Sequence, residues 1–86
     1  MSYKVYVDVV AEFSKDGILR PRSFTWIDGQ KYEIQSITDI RRAASLKAGG
    51  AGMRYTCRIW GREAHLYYED DNRWFMESRE DIRTEE

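Results

Sequence analysis

The stretch Tyr3-Lys4-Val5-Tyr6-Val7-Asp8-Val9-Val10-Ala11-Glu12-Phe13 decides the fold class. Tyr3, Val5, Val7, Val9, Ala11 and Phe13 fall on one side of a period of two. Lys4, Tyr6, Asp8, Val10 and Glu12 fall on the other. Strict alternation in a valine- and aromatic-rich segment is the pattern of a half-buried β-strand. Ser14-Lys15-Asp16-Gly17 follows, and Asp-Gly favours a tight hairpin because glycine accepts φ > 0.

Working outward, the same grammar repeats. Ile18 to Ile27 predicts a second strand, with Pro21 marking an edge or the start of its regular part. Asp28-Gly29 is another hairpin signal, and Gln30 to Ile40 a third strand, with a bulge near Gln35-Ser36 restoring Ile37 to the core side. Met53 to Trp60 alternates Met53, Tyr55, Cys57 and Ile59 against Arg54, Thr56, Arg58 and Trp60. Gly61-Arg62 reads as a turn, Glu63 to Glu69 as a returning strand, Asp70-Asp71-Asn72 as a turn, and Arg73 to Met76 as the last strand. Arg41 to Gly52 is read as irregular, since glycine occupies three of its last four positions; a short helix over 39–48, capped by Asp39, is the alternative. The expectation is an all-β domain, a small barrel or sandwich of five to six antiparallel strands over residues 1–76. Residues 77–86 form a charged tail, fraying or loosely helical.

With 86 residues there is room for one core, and 14% aromatic residues supply it despite 34% charged side chains. A single cysteine, Cys57, excludes an intrachain disulfide, and no apolar run reaches signal-peptide or membrane-span length, so a cytoplasmic protein is expected. No catalytic or metal-binding constellation emerges, and the chain reads as non-enzymatic, with no cofactor. His65 is the only histidine. Alternation puts Cys57 and His65 on opposite faces, and Cys57 reads as a small buried hydrophobe. Gly49-Gly50-Ala51-Gly52 leads into a strand and lacks the Lys-Ser/Thr that a phosphate loop needs.

The charge distribution carries the functional expectation. Residues 41–62 hold six basic side chains, Arg41, Arg42, Lys47, Arg54, Arg58 and Arg62, and no acidic one. Arg54, Thr56 and Arg58 project from one sheet face, and Trp60 extends the row. A positive face with an aromatic platform suits a nucleic-acid backbone with stacked bases, or another polyanion. Against this stand a pI near 5.8 and the alternative that the arginines are paired across strands with Glu63, Glu69 or Glu33. The other functional expectation is a protein-interaction or homodimerisation module using exposed rings among Tyr6, Trp26, Trp60, Tyr67 and Trp74.

The segments Ser23-Phe24-Thr25-Trp26-Ile27-Asp28-Gly29-Gln30-Lys31-Tyr32-Glu33-Ile34, Arg41 through Ile59, and Trp74-Phe75-Met76-Glu77 resemble a group of small single-domain β proteins of clostridium-like bacteria. The resemblance covers residues 3–77 and implies a compact SH3-like fold. It implies no activity.

Overall fold

The computed structural model describes residues 3–45 and 50–78; Lys47 and the tail beyond Ser78 lie outside the described residues. Seven strands form: β1 (Tyr3–Phe13), β2 (Leu19–Thr25), β3 (Lys31–Glu33), β4 (Ser36–Ser45), β5 (Gly50–Ile59), β6 (Arg62–Tyr68) and β7 (Trp74–Ser78). They make one antiparallel sheet in the order β3-β2-β1-β7-β6-β5-β4, curled into a half-barrel. Among the described residues there is no helix, and hence none long and apolar enough to cross a membrane.

The curl begins in β1. Its first half, Tyr3 to Val7, pairs with β7, and its second half, Asp8 to Phe13, pairs with β2 on the other side. One strand thus serves both wings of the sheet. Ala11 faces Pro21 where the register shifts, a bulge that accommodates a residue with no N–H to donate. The connection Ile34-Gln35 draws the wings together: Ile34 N donates to the Arg22 carbonyl (2.9 Å) and Gln35 N to the Arg58 carbonyl (2.8 Å). Across the concavity the Tyr55 hydroxyl donates to the Leu19 carbonyl at 2.6 Å.

Phe24, Tyr55, Cys57, Ile59, Leu66, Trp74 and Met76 fill the concave side. They come from the alternating positions of β2, β5, β6 and β7, as the period of two requires. The convex side carries a second, smaller layer. Phe75 is fully buried there, stacked on Tyr67 with centroids 4.7 Å apart, with Tyr6 edge-on and the Lys4 ammonium 4.9 Å from its ring centre.

Seven strands stand where five to six were expected, because the expected third strand is two. β3 ends at Glu33, and β4 belongs to the other wing, with its register shift between Ile37 and Asp39. The irregular reading of residues 41–52 and its helical alternative over 39–48 are both corrected over the described residues; residues 46–49 lie outside them. β4 runs through Ser45 and pairs with β5 from Gly50 onward. Alanine is the best helix former, but propensity is a weak prior and ladder partners override it here. Gly52 is needed in this register: a Cβ there would overlap the Tyr68 carbonyl.

Candidate functional site

The residues expected to form one basic face are divided by the sheet. Arg54, Thr56 and Arg58 do share the convex face of β5. Arg54 stands between Arg41 on β4 and Tyr67 on β6; its Nε is buried without a hydrogen-bond partner. Arg58 lies four residues along, about 13 Å away at strand spacing. Arg41 is on this face too, but its guanidinium is held by Asp39 at 2.7 Å. Arg42 has the opposite parity, facing Met53, and reaches Asp70 at 3.3 Å. Arg62 opposes Ile59 and so belongs to the concave side. Of the alternative cross-strand pairings with Glu63, Glu69 or Glu33, the ladder sets Glu63 opposite Arg58 without bringing the two within ion-pair distance; Arg41 and Arg42 pair instead with Asp39 and Asp70, while Glu69 serves Lys4 and approaches Arg73. Lys47 lies outside the described residues.

What the fold brings together is Arg58, Trp60 and Arg62. The expected Gly61-Arg62 turn is shifted by one residue, to Trp60-Gly61, with φ of 53° and 74°. Two consecutive left-handed residues make the hairpin turn whose twist matches the flanking strands. Gly61 takes that conformation without cost; for tryptophan it is uncommon and strained. Three hydrogen bonds secure the turn. Gly61 N donates to Gln35 Oε1 (2.8 Å), Arg58 Nη1 donates to the Gly61 carbonyl (3.1 Å), and Gln35 N donates to the Arg58 carbonyl. Trp60 does not extend the row of Arg54 and Arg58. It swings to the mouth of the half-barrel, 69% exposed, with its ring edge-on to Tyr32 at 5.0 Å.

Tyr32 in turn stacks on Phe24 at 5.2 Å. These rings, with Ile59, Met76, Arg62 and Glu63, line a concavity of about 610 Å³ at the mouth. That is within the size range of small-molecule sites. Among the described residues neither Arg58 nor Arg62 has a carboxylate within ion-pair distance. The site therefore combines one presented ring, an aromatic floor and the Arg62 guanidinium, with Arg58 on the convex side of the same turn and Glu63, the cross-strand partner of Arg58, on the rim. Gln35, Tyr32 and Phe24 were missed in the sequence reading as site residues. Phe24 and Tyr32 carry a signal, since they flank an Asp-Gly turn at matching positions of one hairpin; Gln35 carries none.

A second groove of about 650 Å³ lies beside β1, lined by Tyr6, Asp8, Trp26, Arg73 and Trp74 among others. Its cation is engaged. Arg73 pairs with Asp71 at 2.8 Å and lies 4.2 Å over the Tyr6 ring. Glu69 accepts from Lys4 Nζ (2.9 Å) and the Tyr6 hydroxyl (2.8 Å), and its hydrogen bond holds the Lys4 ammonium above its ordinary pKa.

Cys57 faces inward opposite Ala64, while His65 faces outward opposite Thr56. Burial pushes the Cys57 thiol up to about 11, which leaves it protonated and unreactive. Among the described residues no three His, Cys, Asp or Glu side chains are placed to hold a metal ion. Comparison of the sequence with family models and curated proteins, and of the fold with solved structures, finds no match.

Proposed function

We propose that the protein is a non-enzymatic binding module that takes single-stranded nucleic acid at the mouth of its half-barrel. A base stacks on Trp60, and flanking phosphates meet Arg58 on the convex side and Arg62 on the concave side. The observation that carries this reading is Trp60 itself: an exposed tryptophan held at φ 53° by a hydrogen-bonded turn, between two guanidiniums that make no ion pair among the described residues. A turn selected only for folding would place asparagine or glycine there. Stacking on an aromatic side chain is worth roughly 1–3 kcal/mol per base and tolerates every base. The overall acidity does not oppose this, because the field that matters is local to the turn. The SH3-like form implied by the resemblance and a cytoplasmic setting are part of the proposal.

Anisotropy titrations with labelled single-stranded RNA and DNA, duplex DNA and inorganic polyphosphate, each at two salt concentrations, test it. Single strands are expected to bind best and to quench tryptophan fluorescence. With two phosphate contacts, log K falls with log salt at a slope of about −1.4. Arg58→Gln or Arg62→Gln is expected to reduce that slope by about 0.7. Absence of binding at low salt, or affinity indifferent to salt and to both substitutions, overturns the reading.

A protein-interaction or homodimerisation module using exposed aromatic surface is the second reading. Trp60 again supports it, together with Phe13, which is exposed at the β1–β2 tip. If Trp60→Ala dissociates a dimer and leaves polyanion affinity unchanged, this second reading is the correct one.

A further inference from the structure

The two ends of the sheet differ. β3 is a three-residue edge bearing Lys31 and Glu33, too short to template another strand. β4 is ten residues long, and among the described residues it pairs on one side only, with β5. Long open edges recruit partners unless they are blunted. β4 carries one acidic and two basic side chains, Asp39, Arg41 and Arg42, and the two-residue spacing of Asp39 and Arg41 makes the edge complementary to itself.

A two-fold axis perpendicular to a sheet sets two copies of an edge antiparallel, with like faces on the same side. Residue i then lies opposite residue j of the same parity, so the axis passes through one residue. An axis through Asp39, Arg41 or Arg42 sets that charge against its own copy, which is unfavourable. An axis through Ala43 places Arg42 against Ala44 and, among the described residues, matches no charges. An axis through Ile40 places Asp39 opposite Arg41 twice, on the convex face, and Ile40 opposite Ile40 on the concave face. The side chains are ready for this: Asp39 and Arg41 already share a face and pair within one chain at 2.7 Å, and Ile40 is only partly buried against the core. The bulge at Thr38 lies outside these three central pairs and limits the ladder's length.

We propose that the protein self-associates through β4, edge to edge about Ile40, to form a continuous fourteen-stranded sheet in which Asp39 and Arg41 of two copies make a four-charge cluster. This rests on neither the Trp60 site nor its ligand. The Trp60 turn follows the last residue of β5, whereas the proposed axis passes beside Tyr55, the ladder partner of Ile40.

Sedimentation equilibrium on the full chain, its Asp39→Arg and Arg41→Asp variants and their equimolar mixture decides the matter. The wild type is expected to be a dimer. Either substitution alone puts like charges opposite each other at two symmetric positions and weakens self-association roughly tenfold or more. In the mixture, one copy presents two positive charges and the other two negative ones, so a heterodimer is expected to form. Loss of an intrachain ion pair cannot produce that rescue, and circular dichroism of each variant reports retained folding. A wild type that is monomeric at its highest soluble concentration overturns the proposal. So do single variants that dimerise as well as the wild type, or a mixture that fails to associate. A dimer insensitive to these charges but lost in Trp60→Ala assigns the contact to the aromatic turn instead.

Discussion

At the scale of single residues, Trp60 shows a side chain kept against local preference. The left-handed conformation costs a non-glycine residue on the order of 1–2 kcal/mol, and the edge-on contact with Tyr32 returns a similar amount. Trp60→Gly is therefore expected to change stability by less than about 1 kcal/mol, since strain and ring contact leave together. Single-strand affinity is expected to fall at least tenfold in the same variant, corresponding to about 1.4 kcal/mol or more. Paired urea denaturation and anisotropy measurements check both halves. Cys57 makes the contrasting case. Its thiol is buried and raised to about 11, so an aromatic disulfide reagent at neutral pH should label it only after urea unfolds the chain. Rapid labelling of the native protein would show that the thiol is not enclosed as described.

At the scale of elements, the half-barrel depends on contacts joining strands distant in the sheet order. The hydrogen bond from Tyr55 on β5 to the Leu19 carbonyl at the start of β2 is the clearest of these. Tyr55→Phe keeps the ring, its tilted contact with Trp74 and the buried area, and removes only the hydroxyl. Leaving a part-buried carbonyl unpaired costs roughly 1–2 kcal/mol, so the urea midpoint should fall with an unchanged m-value. An unchanged midpoint would mean that water replaces the hydroxyl. The convex layer is also an element-level property. Phe75 alternates outward from Trp74 and Met76, a position that in a one-sided sheet faces solvent, yet Tyr6, Tyr67 and Lys4 enclose it. Alternation reports which residues share a side of a sheet. It does not report what lies above that side.

At the scale of the whole molecule, charge coupling sets the pH range of stability. The hydrogen bond from Glu69 raises Lys4, and burial raises Tyr55. Each group's contribution is complete below its unfolded pKa, ordinarily 10.5 for Lys4 and 10.0 for Tyr55. It is lost as pH rises through the higher folded value. Asp16 shifts the other way, lowered chiefly by its hydrogen bond from Arg20. Its contribution is present above its ordinary 3.8 and is lost as pH falls through the lower folded value. Urea midpoints measured against pH should decline at the alkaline end, and Lys4→Gln should flatten that decline. An alkaline limb identical in Lys4→Gln would remove the Lys4–Glu69 pair from the account.

The sequence by itself determined the secondary structure class, the placement of most turns, and which residues of β5, β6, β7 and, up to the exposed Phe13, β1 face inward. A period of two and glycine at φ > 0 are local constraints, legible from neighbours in the chain. Only the tertiary structure decided that residues 36–45 and 50–59 form a long hairpin, because their strand state comes from ladder partners and not from propensity. It also decided how the basic side chains are distributed. Faces are shared only within one sheet, and the curl together with the one-residue shift of the turn separated Arg54 from Trp60 and brought Arg58 and Arg62 to either side of it.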